Sequence, residues 1–306
     1  MRLSAIEIGT NSTKFIIAEK IEGKKINVIE RQSVVNRLSD NMYKSNTISA
    51  DAIEKGIEII GGFIDTNIKM DSKLISIFST SVLRDAVNKN DFVSRVKQLY
   101  GIDIDIISGE KEAHLAFKAC RRLARNDEMF AVIDIGGGST EITVGYNDSQ
   151  NNASSINIGT VRLKEMFIGH DPAEKDEISL MSDYIKKMVK KSGLSILNQI
   201  QLIGTGGTIK SIGTILSNEH YSNEMTVDGL NFSREDIMSL YTQLVRLTAA
   251  DKTDIKGLSP KRADVIAVGI LILLVIMKEY EINSITVSSQ GVLEGFIWEY
   301  FNSQII

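Results

Sequence analysis

The sequence contains little cysteine and proline, and it has no long apolar run. Its one cysteine, Cys120, excludes an intramolecular disulfide and a cysteine-based metal cluster. A single thiol is typical of a reducing cytoplasm, and we expect this one to be a small buried apolar side chain. The longest apolar run, 265–277, is shorter than the roughly 20 residues of a membrane-spanning helix and predicts a buried core helix. The first residues lack the apolar region of a signal peptide, which also favours the cytoplasm.

The chain also lacks a surplus of positive charge. Its formal net charge is −4 at pH 7, so no overall positive field attracts nucleic acid or a membrane surface, and neither is expected as a partner. A polyanionic ligand would have to be bound by locally placed cations. With 43% hydrophobic and 24% charged residues, the 306-residue chain has the composition of a globular protein and the length of two ordinary domains.

One short segment, by contrast, is present twice. Segments 6–13 (IEIGTNST) and 133–140 (IDIGGGST) each place an acidic residue in an apolar strand, followed by a glycine-bearing turn and a second strand. Setting Glu7 against Asp134 aligns identical residues on both sides of the turn. Two copies at such a separation predict two related domains that face each other.

Each copy has the composition of a phosphate-binding loop. Glycines allow backbone N–H groups to converge on one concavity, where they can bind phosphate oxygens. A carboxylate just before the turn can hold a hydrated divalent ion against the same phosphates. A single copy would be weak evidence, because a strand–turn–strand segment is also a common hairpin.

Hydrophobic periodicity and turn residues predict a mixed α/β chain. The predicted strands cover 3–8, 14–19, 26–35, 73–79, 104–107, 130–135, 140–146, 153–158, 199–204 and 283–288. The predicted helices cover 50–67 with Ser49 as N-cap, 110–125, a segment after Thr160, 173–192, 233–248, 260–279 and the residues from 292. The polar stretch 147–155 is predicted to be a hairpin loop. The expected domains are 1–112 and 113–296, with a C-terminal helix 297–306 returning to the first.

Five segments together match one family pattern. They are 7–12, 79–86 (STSVLRDA), 108–113 (SGEKEA), 134–141 (DIGGGSTE) and 204–208 (GTGGT). The chain resembles the exopolyphosphatase and guanosine pentaphosphate phosphatase (Ppx/GppA) family, and segments 159–163, 262–264 and 288–291 extend the resemblance over nearly the whole chain. It implies an α/β fold with two ribonuclease H-like lobes and an interdomain cleft, as in the actin, sugar kinase and heat-shock ATPase superfamily. The sequence corresponds to the short, two-domain form.

The resemblance also implies roles for particular residues. Glu112 is the expected general base, Glu141 would orient the metal shell or the water, and Arg84 would contact the reacting phosphate. Asp134 and Glu7 are the expected ligands of Mg²⁺ or Mn²⁺, and a monovalent cation is a further expected cofactor. The expected phosphate-binding residues are Gly9, Thr10, Asn11, Ser12, Gly136, Gly137, Gly138, Ser139 and Thr140. The residues expected to bind nucleotide or polyphosphate are Gly204, Gly206, Gly207, Thr208, Arg37 and Arg262.

Several of these side chains have a purely structural alternative. Glu112 can be a first-turn residue favoured by the helix dipole, and Asp134 can be a turn former. Arg84 can pair with Asp85 or with another carboxylate. The arginines at 37 and 262 can equally be ion-pair partners.

The implied activity is Mg²⁺-dependent hydrolysis of a terminal phosphoanhydride. The expected ligands are inorganic polyphosphate and guanosine penta- or tetraphosphate, and a homodimer is the expected assembly. One rival is a superfamily kinase or ATPase, because segment 204–208 could also serve an adenine nucleotide. The other is a binding or sensing protein with weak turnover. It is motivated by Glu7, which stands where the family usually has Asp and is longer by one carbon–carbon bond, about 1.5 Å.

Overall fold

The computed structural model describes residues 1–21, 25–195 and 200–303. The chain divides into two compact units, the first formed by Met1–Ala119 and Val292–Ile306 and the second by Cys120–Gly291. The predicted boundary after residue 112 differs from this division, because it falls inside the helix Gly109–Cys120, nearly all of which belongs to the first unit. The first unit also includes the last helix, whose predicted start at residue 292 is confirmed, so the segment that returns to this unit begins at Val292 rather than at 297.

The described residues contain eleven strands and twelve α-helices. The elements before the second unit are β1 (Arg2–Ile8), β2 (Ser12–Ile21), β3 (Lys25–Val35), α1 (Met42–Ser45), α2 (Ala50–Lys69), β4 (Lys73–Ser79), α3 (Ser81–Asp85), α4 (Lys89–Tyr100), β5 (Ile104–Ile106) and α5 (Gly109–Cys120). The second unit contains β6 (Met129–Ile135), β7 (Thr140–Tyr146), β8 (Ser149–Ile156), α6 (Thr160–Phe167), α7 (Lys175–Lys191), β9 (Gln201–Thr205), α8 (Gly206–Leu216), β10 (Asn231–Ser233), α9 (Arg234–Leu244), α10 (Ala249–Lys252), α11 (Ile266–Glu279) and β11 (Ser284–Val287). The described chain ends with α12 (Val292–Ser303), which belongs to the first unit.

The first unit is built on a five-stranded sheet with the order β3-β2-β1-β4-β5. The central strand β1 is antiparallel to β2 and parallel to β4, and its side chains after Arg2 are all buried, so helices must cover both faces. On one face, Ile6 belongs to the core that includes the apolar side of α2. On the other face, Phe78 of β4 stacks on Phe296 of α12 with the ring centroids 4.8 Å apart. The predicted N-cap of α2 is confirmed, because the Ser49 side chain accepts a hydrogen bond from the Ala52 amide.

The second unit repeats this order in its sheet. Its six strands run β10-β11-β9-β6-β7-β8, so that β8, β7, β6 and β9 correspond to β3, β2, β1 and β4 of the first unit. The core is centred on α11, where nearly every residue from Ile266 to Met277 is buried. The predicted core helix is therefore confirmed. The shared 3-2-1-4 order gives both units the ribonuclease H-like topology expected from the sequence.

Some local predictions differ from the structure. The stretch 147–155 is mostly strand β8 after a short turn with Asn147 in the left-handed region (φ 49°). Its polar residues suggested a loop because β8 is an edge strand whose side chains are largely exposed. Helices α1, α3, α4, α8 and α10 and strand β10 were not predicted from the sequence. Residue 199, the predicted start of β9, and residues 304–306 of the predicted last helix lie outside the described residues.

Within the described ranges, no helix is both long enough and apolar enough to span a membrane.

Candidate active site

The predicted site residues form two groups, one in each unit. The first loop, residues 9–11, connects β1 to β2, and the second loop, residues 136–139, connects β6 to β7. Both loops are closed by the same hydrogen bond: the Gly9 amide donates to the Ser12 carbonyl at 3.0 Å, and the Gly136 amide donates to the Ser139 carbonyl at 3.0 Å. A Cβ on either glycine would lie tightly against that carbonyl, at 2.9 and 3.1 Å respectively. The sequence repeat is therefore also a repeat of backbone geometry.

The carbonyl groups of Gly136, Gly137 and Gly138 in the second loop point toward the start of α6. Gly136 O accepts from the Thr160 amide at 3.0 Å, and Gly137 O accepts from the Val161 amide at 2.9 Å. Gly138 O accepts from the Arg162 Nε at 2.7 Å. In a planar trans peptide, the N–H points opposite to the preceding carbonyl. The amides of residues 137–139 therefore point away from α6, as an anion-binding loop requires.

The close contact between α6 and the second loop depends on Gly159. A Cβ at this position would overlap the backbone of Gly137 and Gly138. Because the overlapped atoms belong to the main chain, no side-chain rotation can relieve the clash. The sequence motif that begins at Gly159 thus supports the second loop.

Asp134 ends its strand beside the N-terminus of α8. Strand β9 pairs with β6 so that Asp134 lies opposite Thr205, and α8 begins at the next residue, Gly206. Gly206 has φ 86°, and a Cβ there would overlap the Asp134 carboxylate. A helix N-terminus favours negative charge, so α8 stabilises this carboxylate and would also favour an anion at the same place. This helix start was not recognised in the sequence, although the glycines of segment 204–208 were.

Arg262 lies against the first turn of α8. A Cβ on Gly207 would overlap its guanidinium. Burial lowers the pKa of Arg262 from its ordinary value, while attraction to Glu224 opposes that shift. Arginine stays protonated in proteins, so this side chain places a positive charge at the helix N-terminus.

Two other residues predicted to bind nucleotide or polyphosphate face the interior. Gly204 is buried in β9, where a Cβ would approach the Ile285 side chain at 2.5 Å. Thr208 is 4% exposed, and it packs against Gly269 of α11. These two positions fit core packing, whereas Gly206, Gly207 and Arg262 line the helix start.

Asp134 also lies directly opposite a second carboxylate. In the β6–β7 pair, Asp134 is the register partner of Glu141, so both side chains lie on the same face of the sheet. Glu141 is 2% exposed, and its Oε1 accepts a hydrogen bond from Ser155 Oγ at 2.7 Å. Like charges directly opposite each other are destabilising, and a cation bound between them would relieve that repulsion.

The first loop has the same carbonyl arrangement, but different groups hold it. Gly9 O accepts from the Asn36 side chain at 3.1 Å, and Thr10 O accepts from Ser39 Oγ at 3.3 Å. Asn11 O accepts from the amides of Asn36 and Arg37 at 3.1 and 3.2 Å. By the same peptide geometry, the N–H groups of residues 10–12 point away from these donors.

Arg37 comes directly after Asn36 in the chain and has an unusual backbone conformation. Its φ is 50° and its side chain is exposed beside the first loop. Residues other than glycine rarely adopt such angles, and they cluster at functional sites. The sequence reasoning selected Arg37 but missed Asn36, because an isolated asparagine carries no pattern.

Glu7, in the strand that precedes the first loop, forms an ion pair with a lysine. Glu7 is 5% exposed, and its Oε1 accepts from Lys14 Nζ at 2.8 Å. Lys14 is the register partner of Glu7 in the β1–β2 pair, the position that Glu141 has relative to Asp134. Glu7 Oε2 is buried and has no hydrogen-bond partner within the described part of the chain. The assignment of Glu7 as a metal ligand stays a prediction.

Glu112 and Arg84 are in contact. Arg84 Nη1 donates to Glu112 Oε2 at 2.8 Å and to the Ile107 carbonyl at 2.9 Å. Glu112 is 7% exposed in the first turn of α5. The same α3 segment reaches the first loop, since Ser81 Oγ lies 3.0 Å from Thr10 Oγ1. The predicted base, the predicted cation and the first loop are thus connected within one unit.

The donor set of the second unit suits a hard divalent cation. Mg²⁺ is usually bound by one or two carboxylates, completed by waters and substrate phosphates. Asp134 and Glu141 provide two carboxylates on one face. Among the described residues, no group of three or more His, Cys, Asp or Glu side chains is arranged to hold a metal ion, so phosphate and water would complete the coordination.

Comparison with known proteins agrees with the family resemblance. The model of the Ppx/GppA phosphatase family matches residues 16–304. A bifunctional 3-dehydroquinate synthase/phosphatase of Fusobacterium nucleatum is 31% identical over 97% of this chain, which spans only 46% of that relative. Exopolyphosphatase 1 of Mycobacterium leprae is 24% identical over 99% of this chain and 91% of that protein. The crystal structure of a Ppx/GppA family member from Aquifex aeolicus has the same fold, with a TM-score of 0.85 at 24% identity over 100% of this chain and 99% of that chain.

Proposed function

Because the chain belongs to the Ppx/GppA phosphatase family, we propose that it releases terminal orthophosphate from inorganic polyphosphate, from guanosine pentaphosphate, or from both. The observation that carries this proposal is the second loop. Its three carbonyls are bound by α6, and its amides point away beside a pair of carboxylates. Both substrates present the same terminal phosphoanhydride to such a loop.

Substrate binding relies on dipoles and local cations. The amides of residues 137–139 and the N-terminus of α8 would bind the phosphate oxygens. Arg262 adds a positive charge beside Gly207, and Arg37 adds one beside the first loop. With a net charge of −4 for the whole chain, these local groups must attract the polyanion.

Asp134 and Glu141 would hold Mg²⁺ or Mn²⁺. When bound, such an ion offsets negative charge on the phosphoryl oxygens. Ser155 fixes one oxygen of Glu141 at 2.7 Å, which orients that carboxylate. A metal ligand usually depends on such a supporting hydrogen bond.

Glu112 would act as the general base. It takes a proton from the attacking water as the oxygen of that water forms a bond to the terminal phosphorus, and the bond to the remaining phosphate chain breaks. Arg84 holds Glu112 through a charge-assisted hydrogen bond at 2.8 Å, which keeps one carboxylate oxygen in a fixed orientation. In this proposal, Arg84 positions the base.

The test is orthophosphate release from long-chain polyphosphate and, separately, from guanosine pentaphosphate. Each is measured with Mg²⁺ and with a chelator, for the wild type, Glu112→Gln and Glu110→Gln. Glu110 is the matched control because it lies exposed in the same helical turn. We expect Glu112→Gln to lower kcat by about 10²–10⁴-fold, the usual contribution of a general base, and Glu110→Gln to leave it nearly unchanged.

Other outcomes separate the rivals. Equal rates for both variants would contradict the assignment of the base. Tight binding of polyphosphate or guanosine tetraphosphate without release would favour the sensing protein, and Glu7→Asp would then be the next variant. Turnover of ATP that requires an alcohol or carboxylate acceptor would indicate a kinase.

A further inference from the structure

A second site of different chemistry lies in the second unit. A cavity of about 120 Å³ is lined by residues of α6, α7, α9, α10 and α11, by Val245 and Asp264, and by the segment after α6. None of the residues 136–141 or 206–208 lines it. Its walls are largely apolar, with side chains that include Ile168, Ile178, Met181, Val245 and Val268. The cavity is therefore separate from the proposed phosphate-binding loops.

Lys252 brings a positive charge to this apolar cavity. It is the last residue of α10, it lines the cavity, and it is only 6% exposed. Across the described ranges 1–21, 25–195 and 200–303, no hydrogen bond or ion pair is found for its ammonium group. A lysine is rarely so deeply buried without a partner.

The carboxylates that line the cavity are bound by other groups. Asp264 accepts from Lys164 Nζ at 2.7 Å. Both oxygens of Asp171 lie within 3.0 Å of the Ala249 amide, at the start of α10. Neither carboxylate is thus the direct partner of Lys252, although both attract it from a distance.

The two remaining polar side chains of the lining do not supply an anion. His170 is in contact with Glu177, its Nδ1 lying 2.9 Å from Glu177 Oε1. Burial raises the pKa of Tyr241 to about 12, so its phenol is uncharged at neutral pH. Burial likewise lowers the pKa of Lys252, a sign that its charge lacks the solvation that water would give.

We propose that this cavity binds a small monocarboxylate with an apolar body, whose carboxylate pairs with Lys252. The size agrees, because an apolar cavity of about 150 Å³ is known to accommodate benzene. The charge also agrees, because one unpaired ammonium matches one carboxylate. A phosphate group would carry more charge into walls that offer few further donors.

Benzoate is a suitable probe, and its binding to the full chain is measured by calorimetry. Benzyl alcohol serves as the uncharged analogue. Inorganic phosphate, which the proposed phosphate-binding loops also attract, is used only as a competitor of benzoate. We expect saturable benzoate binding, at least about tenfold tighter than that of benzyl alcohol, since tenfold corresponds to one modest charge-assisted contact. Displacement of benzoate by an equal concentration of phosphate would overturn the proposed ligand class.

Substitutions in the cavity test whether benzoate binds there. Lys252→Met should weaken benzoate at least about tenfold and leave benzyl alcohol unaffected, because only the charged contact is lost. Lys256→Met is the matched control, since Lys256 is exposed in the same segment, and it should leave benzoate binding unchanged. Ala267→Leu, which fills the cavity from α11, should weaken both ligands. Unchanged benzoate affinity in Lys252→Met or in Ala267→Leu would overturn the proposal, as would the absence of saturable binding to the wild type.

Thermal unfolding gives an independent readout. Replacing a buried unpaired charge by an apolar side chain of similar size removes a desolvation penalty. Lys252→Met should therefore have a higher Tm than the wild type without ligand, and benzoate should raise the Tm of the wild type only. A lower Tm of the variant would show that Lys252 already has its charge compensated within the fold, which would contradict the proposed counter-ion role of the ligand.

Discussion

The two loops share one backbone geometry but differ in what holds them. Each is closed by an amide–carbonyl bond of 3.0 Å, and each directs its carbonyls into its own unit. The first loop is held by the side chains of Asn36 and Ser39 and by the backbone amides of Asn36 and Arg37. The second is held by backbone amides of α6 and by the Arg162 side chain. The first arrangement therefore depends on particular polar residues, and the second depends on the close approach that Gly159 allows.

The carboxylate pairs differ in charge. Glu7 has Lys14 as its register partner, whereas Asp134 has Glu141. The first pair brings opposite charges together, and the second brings like charges together. One unit of the duplicated fold thus places a lysine opposite its strand carboxylate, while the other places a second carboxylate there.

The largest expected effect comes from Gly159→Ala. The added methyl would overlap the backbone of Gly137 and Gly138, so the second loop must move. A displacement of about 1 Å at a catalytic loop can cost about 100-fold in rate, and we expect a loss of kcat/KM of at least that size. Orthophosphate release measures it. Gly62→Ala is the control, because its Cβ would meet nothing within 4 Å; equal activity of the two variants would show that α6 does not position the second loop.

The next largest effect is expected from a substitution that changes the charge of the Asp134–Glu141 pair. Glu141→Gln keeps the shape of the side chain and removes one negative charge from the Asp134 pair. We expect Mn²⁺ affinity to fall by at least about 10–100-fold, the range measured when even a supporting residue of a metal site is lost. Calorimetric titration of Mn²⁺ in the absence of substrate measures this. Unchanged affinity, with Asp134→Asn as the companion variant, would place the metal elsewhere.

A smaller effect, on stability, is expected when Lys14, the ion-pair partner of Glu7, is replaced. Lys14→Met leaves the buried Glu7 carboxylate without its cation. Breaking a fully buried pair costs about 3–5 kcal/mol, but Lys14 is 34% exposed, so we expect a loss of about 1–3 kcal/mol in the free energy of unfolding. Denaturant titration measures it. The double variant Lys14→Met/Glu7→Gln should recover part of the loss, and an additive result would refute the pairing.

An effect of similar size is expected from Asn36→Ala, which removes three side-chain hydrogen bonds. The amide nitrogen of Asn36 donates to Gly9 O at 3.1 Å and to Thr13 Oγ1 at 2.7 Å, and its Oδ1 accepts from the Leu38 amide at 3.1 Å. Leaving buried partners unpaired costs about 1–3 kcal/mol. We expect a lower free energy of unfolding together with a raised KM, because the first loop loses its support. Asn27→Ala, at an exposed edge contact, is the control and should change neither quantity; a similar change in both variants would refute the role of Asn36.

The sequence by itself determined the features that depend on neighbouring residues. A strand, a glycine turn and a second strand are local, so the repeated segments predicted both loops correctly. The run 265–277 is apolar on every side, and it predicted the buried helix α11 because no exposed face was possible. The family motifs selected Arg84, Glu112, Asp134 and Glu141 for the same reason: each is embedded in a short pattern.

The tertiary structure decided which of these residues meet. The contact between Arg84 and Glu112 joins α3 to α5. The close approach of Gly159 to the second loop joins the start of α6 to a loop that precedes it by the two strands β7 and β8. Gly204 and Thr208 belong to the same motif as Gly206, yet packing against Ile285 and α11 turns them inward. The ammonium of Lys252, which has no direct partner among the described residues, belongs to no pattern in the sequence. Local spacing fixes backbone turns, but the burial and partner of a charge depend on which segments the fold brings together.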